Sequence, residues 1–216
     1  MKKYRFHIPG LIHLPISEKY TACAFTQKIV KMSKMFMSLG HEVYLYGAEG
    51  SDAPCTEFIQ THTLEEIRTH LGNGIDNELG YDYFGKGLNE VEMNLKSKPF
   101  LAGKHLVALI TEINKRKRED DFLLLPTAHP ALYEGVGLKL TVESGIGYYR
   151  SQAHFRAFES NFIMNYTYGA EFGKHVILPS PYDRVIPNYF DPNDFEYKEE
   201  KSGYFLFVGR LIKSKG

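Results

Sequence analysis

The 216-residue sequence predicts an α/β fold, a doubly wound parallel sheet of the Rossmann-like kind. Three observations carry that expectation. Short apolar runs suited to strands alternate with longer runs of helical period. The first strand, helix and strand make a βαβ unit, which implies parallel pairing and a right-handed crossover. Residues 122–125 are a continuous apolar run, as expected of a central strand buried on both faces. With 43% hydrophobic and 24% charged residues the composition is that of a globular protein, which excludes a disordered tail, a collagen-like fibre or a disulfide scaffold. At about 150 residues per domain, the length corresponds to about one and a half domains.

The elements follow in order. Residues 4–8 are a short apolar run ended by Pro9-Gly10, and a loop rich in turn formers and histidine leads to a helix beginning near Thr21. On that helix Phe25, Ile29, Met32, Phe36 and Leu39 recur at steps of three and four, one apolar stripe facing a sheet. Gly40 stands where a left-handed C-cap is expected. Residues 42–46 form the next strand, closed by Gly47. Thr63-Leu64-Glu65-Glu66 has capping-box spacing and opens a short helix to about Leu71. Residues 72–98, with five glycines and little periodicity, read as a long excursion with one helical turn near 89–95.

Pro99 suits the first turn of a helix that runs through Leu106, Leu109, Ile110 and Ile113 to Lys117. The basic run at 115–118 then complements the helix dipole, a solvated helix end rather than a binding patch. After the 122–125 strand come Pro126-Thr127-Ala128-His129-Pro130, a strand at 138–142 and the loop Glu143-Ser144-Gly145-Ile146-Gly147-Tyr148. A helix presenting Phe155, Phe158, Phe162, Ile163 and Tyr166 is expected next, with Glu159 in its middle, and then a strand at 176–178. Pro179, Pro181, Pro187 and Pro192 fall close together and read as an extended linker. Residues 204–208 form a last apolar strand, followed by Gly209-Arg210 and Lys215-Gly216, which reads as the first piece of a truncated second domain. The expected division is 1–180, 181–201 and 202–216.

Charge and cysteine usage narrow the partners. Lys plus Arg and Asp plus Glu are 26 each, so no global field draws the protein to nucleic acid, and membrane contact is expected to be peripheral at most. Cys23 and Cys55 are too few for a secreted framework and lack metal-ligand spacing, which fits a reduced, cytoplasmic compartment. The apolar run at 6–16 is broken by His7, Pro9, Gly10, His13 and Pro15, unlike a secretory signal. No window approaches the roughly 18 apolar residues of a membrane span. Nine histidines are present, none paired with carboxylates at ligand spacing, so no metal is expected.

The last segment carries the strongest chemical signal. Gly209 after an apolar strand allows a tight turn, Arg210 offers a bidentate fork and Lys215 a point charge, a loop suited to a diphosphate. A basic surface turn is the alternative for these residues taken alone. Val185-Ile186-Pro187-Asn188-Tyr189-Phe190-Asp191-Pro192, followed by Tyr204-Phe205-Leu206-Phe207-Val208-Gly209-Arg210-Leu211 and Lys215-Gly216, resembles the interdomain region of glycosyltransferase family 4. The Ser38-Leu39-Gly40-His41-Glu42-Val43-Tyr44-Leu45-Tyr46-Gly47 step is similar to the amino-terminal domain of that family.

The resemblance implies a GT-B enzyme, with residues 1–180 as the acceptor-side domain and the nucleotide-sugar domain beginning near Ser202. It implies transfer of a hexose from a nucleotide diphosphate sugar to a glycan or lipid-linked acceptor. The nucleotide sugar is the co-substrate, with no other cofactor. Gly209, Arg210 and Lys215 match the donor-diphosphate contacts, where the charges stabilise the departing nucleoside diphosphate. The paired-glutamate motif of the donor domain lies outside these residues, so the rest of that domain is expected in the same or another chain. Family members mostly retain anomeric configuration, so no enzymic base is strictly required.

In the first domain, ligands are expected at the carboxyl ends of the strands. Gly10 and His13 occupy the loop that corresponds to the family's strand-one loop, near the acceptor and the donor phosphates. His129 could bind a sugar hydroxyl or accept its proton, or serve only as a turn residue. Glu143, Gly145 and Tyr148 could offer a carboxylate, close backbone approach and a ring face, or form an ordinary strand-to-helix turn. His129 and Glu143 are the candidate catalytic residues, and Gly10, His13, Gly145 and Tyr148 the candidate acceptor-binding ones. Glu159 is expected to be a solvated helical residue. A non-catalytic sugar-binding or subunit-pairing module is the alternative function. A dehydrogenase or epimerase is disfavoured, because the first loop lacks G-x-G-x-x-G.

Overall fold

A computed structural model of the protein describes residues 2–21, 23–71, 99–127, 129–148, 151–172, 180–200 and 203–206. Strand β1 (Arg5–Pro9), helix α1 (Ala24–Ser38) and strand β2 (Glu42–Ala48) form the expected βαβ unit, with Arg5 opposite Glu42 and Pro9 opposite Tyr46 in a parallel ladder. Gly40 takes φ +80°, the left-handed conformation expected after the helix. Thr26, Ile29, Val30 and Ser33 bury the helix, while Phe25, Met32 and Phe36 are half-buried and Leu39 is exposed. The predicted stripe therefore borders the buried line rather than coinciding with it.

Strand β3 (Glu57–His62) was not expected from the sequence, because its exposed Glu57 and Gln60 interrupt the apolar pattern. It pairs in parallel with β2. Helix α2 (Leu64–Leu71) has the capping box: the Thr63 amide donates to Glu66 Oε2 at 2.9 Å, and the Glu66 amide to Thr63 Oγ1 at 3.1 Å. The excursion at 72–98 lies outside the described residues. Helix α3 (Pro99–Arg116) buries Leu109 and Ile113, and its basic end makes surface ion pairs, Lys115 and Arg116 to Glu112 and Arg116 to Glu57.

Strand β4 (Phe122–Leu125) is buried on both faces, as predicted. Helix α4 (Pro130–Val136) is an addition to the expected elements, with Pro130 in its first turn and Gly137 at φ +64° after its end. Strand β5 (Leu140–Ile146) extends past the expected 138–142 and takes in Glu143 and Gly145. Strand β6 (Phe155–Phe158) replaces the first part of the predicted helix. A four-residue strand is too short to display period two, and Phe at i and i+3 suits a helix equally. Helix α5 (Asn161–Phe172) starts after it, and Glu159 lies in the connection between them, not mid-helix. Strand β7 (Arg184–Val185), within the segment read as a linker, pairs with β6, and a 3₁₀ turn follows at Pro192–Asp194. The expected strand at 176–178 is outside the described residues, and residues 204–206 are exposed and make no strand pairing.

All seven described strands are parallel, in the order β3-β2-β1-β4-β5-β6-β7. One face packs against α1 through Ile8, Val43, Leu45, Leu124, Ile29 and Val30. The other packs against α3 and α4 through Tyr46, Leu123, Leu125, Leu109, Ile113 and Leu132. The fold is thus α/β and doubly wound. From β1 the chain builds outward to β2 and β3, then returns to add β4 on the other side, so the topological switch point lies between β1 and β4.

Candidate functional site

The loop after β1 leaves the switch point under tight constraints. The Gly10 amide donates to Tyr46 O at 2.6 Å, and a Cβ on Gly10 would stand 2.8 Å from Ile16 Cδ1 and 3.1 Å from Tyr46 O. Only glycine lets the loop lie this close to β2. Behind it, His62 Nε2 is 2.9 Å from the Ile12 carbonyl. A carbonyl can only accept, so Nε2 carries the proton. The Thr61 hydroxyl donates to Gly47 O at 3.1 Å, and its oxygen lies 2.9 Å from His62 Nδ1 and 3.1 Å from His105 Nδ1. The two rings meet edge to face at 4.8 Å.

Burial pushes His62, His105 and His129 below the usual imidazole range, His105 down to about 3, with the neighbouring His62 and His129 adding to the effect on His105. The site near β1 and β4 is therefore lined by neutral imidazoles. Thr61, His62 and His105 were not among the expected site residues. His62 ends a strand that the sequence pattern conceals, and His105 comes from a helix 44 residues on from Thr61. His129, half-buried, is the N-cap of α4, where its backbone carbonyl accepts from Leu132 and Tyr133. His13 is half-buried with Nε2 3.9 Å from Cys23 Sγ at the start of α1.

A second group sits at the ends of β5 and β6. Glu143 is fully buried. Its Oε1 accepts from the Tyr148 hydroxyl at 2.6 Å, and its Oε2 from the Gln152 and Ala153 amides at 2.7 and 3.0 Å. This carboxylate braces the β5–β6 connection and holds Tyr148, whose ring is 5.6 Å from Phe25 of α1. Gly145 takes φ +63°, and a Cβ there would meet Lys28 Cδ at 3.2 Å. Lys28 donates to Gly145 O at 2.7 Å and pairs with Glu159. The structure thus gathers Gly10 and His129 around the switch point through His105, and Glu143, Gly145 and Tyr148 beside the start of α1. Gly209, Arg210 and Lys215 lie outside the described residues.

Fold and site define a Rossmann-like α/β protein with a cluster of buried polar side chains at the carboxyl edge of its sheet. Among the described residues no cluster could hold a metal ion, and no helix is long and apolar enough to cross a membrane. No protein-family model and no curated protein matches the chain.

Proposed function

We propose that the protein is a GT-B hexosyltransferase similar to glycosyltransferase family 4, with this doubly wound unit on the acceptor side. The observation that carries the reading is the ordered pair of motifs, Val185 to Pro192 and Tyr204 to Gly216, following a doubly wound parallel sheet. An acceptor hydroxyl displaces the nucleoside diphosphate at the anomeric carbon of the donor, forming the new C–O bond as the old one breaks. Arg210 and Lys215 hold the departing diphosphate. The neutral imidazole of His129 takes the hydroxyl proton or orients the hydroxyl. Glu143 acts through Tyr148, which it positions beside the start of α1, rather than on the acceptor itself.

The test is release of nucleoside diphosphate by the full-length protein, given a panel of nucleotide sugars and acceptors. Arg210→Ala is expected to lower kcat/KM by roughly a hundredfold or more, the scale of losing one electrostatic contact to a developing charge. Unchanged turnover in that variant would remove the diphosphate role and with it the reading.

A further inference from the structure

On the α1 face of the sheet, Leu124, Val142 and Ala157 floor a groove of about 440 Å³ between α1 and residues 186–190. The described residues of the β5–β6 connection form no helix, and among the described residues that strap roofs this part of the sheet. From α1 the groove takes Ala24, Lys28, Lys31, Met35 and their neighbours, one helical face running about 18 Å at 1.5 Å per residue. Met32, Met35 and Phe36 make the wall apolar and adaptable. The volume and the mixture of an apolar lining with a few polar groups are those of small-molecule sites.

Two ammonium groups stand in this lining, in different circumstances. Lys28 is taken up by Glu159 and Gly145 O. Lys31 lies 4.0 Å from the centroid of the Phe190 ring, and among the described residues no carboxylate pairs with it. A cation held over an aromatic face at the edge of an apolar groove favours an anion with an apolar extension. We propose that the groove binds an amphiphile with a single apolar chain and a phosphate head. The chain lies along Met32, Met35 and Phe36 over Leu124, Val142 and Ala157, with the phosphate at Lys31. This goes beyond glycosyl transfer and does not depend on it.

Dodecyl phosphate, kept below its micellar concentration, is titrated into the protein labelled with ¹³C at the methionine methyls. The Met32 and Met35 signals are expected to move saturably while Met164 of α5 stays in place. Inorganic phosphate should move none of them, and dodecyl maltoside should bind at least tenfold more weakly. Lys31→Met should weaken dodecyl phosphate binding about tenfold and leave the maltoside unaffected. Met35→Trp and, as an independent variant, Ala157→Leu should fill the groove and abolish the shifts, each checked for an unchanged circular dichroism spectrum. Equal affinity for phosphate and maltoside, no effect of Lys31→Met, or an equal shift of Met164 would overturn the proposal. So would sedimentation showing a dimer that already covers Met32 and Met35.

Discussion

A buried carboxylate whose two oxygens both accept hydrogen bonds does a different job from one open to solvent, and Glu143 is of the first kind. Three donors converge on its two oxygens. Glu143→Gln keeps the shape but turns an amide NH₂ toward one of those donors and removes the charge, which should lower stability by about 2 kcal/mol, the scale of a charge-assisted hydrogen bond. Urea denaturation measures that loss, and amide exchange at Gln152 and Ala153 should accelerate with it. Unaltered exchange at both amides would remove the bracing role. Glycine and proline mark the chain turns after strands, and those marks located Gly10, His129, Gly145 and Tyr148. The sequence did not show that Glu143 faces inward, since its burial depends on where β5 ends and on donors five to ten residues away. Thr61, His62 and His105 meet only in the fold, so nothing local connects them.

Elements were legible where their periodicity was long enough to count. The helices α1 and α3 show several turns of it, and β4 is a continuous apolar run. The strand β6 was mistaken for helix because four residues hold too little pattern. Its identity comes instead from the partners that the sheet supplies. Arg156 of β6 is the clearest of these. Its guanidinium pairs with Asp183 ahead of β7 at 2.7 Å and with Glu171 of α5 at 2.8 Å, and Asp183 also accepts from the Tyr168 hydroxyl at 2.8 Å. One side chain thus fastens two flanking elements to the sheet edge. Arg156→Met leaves the Asp183 carboxylate buried without its cation and is expected to cost about 3–5 kcal/mol. Arg156→Met combined with Asp183→Asn should cost less than the sum of the two single changes. Additive losses in urea melts would mean that the two residues act independently.

Across the whole molecule, buried histidines give the fold a common dependence on pH. His7 illustrates the cause. It is fully buried in β1, with Nε2 2.9 Å from Asp121 and Nδ1 2.7 Å from the Tyr46 hydroxyl. Asp121 can only accept while ionised, so Nε2 donates to it and the Tyr46 hydroxyl donates to Nδ1, an arrangement complete with a neutral ring. Burial holds His7 below its ordinary value even though Asp121 pulls the other way, with Arg5 and Arg116 adding to the depression. His62, facing Glu66 and Lys104, and His105 and His129 are depressed by burial too. A group that binds its proton more weakly when folded makes the unfolded chain the better proton acceptor. Stability is therefore full above the ordinary histidine value of 6.5 and falls as pH drops below it, continuing for His105 toward about 3. Each fully depressed histidine contributes a slope of at most about 1.4 kcal/mol per pH unit. Glu42, Glu66 and Glu112 are held below their ordinary 4.5, so they stay ionised above pH 5 and the loss in that window belongs to the histidines. Urea unfolding at pH 7.5 and 5 should show a clear drop in stability, and His105→Gln should flatten it even though that variant starts less stable. Equal unfolding free energies at the two pH values would show that these rings take up protons as readily in the native state as in the unfolded chain.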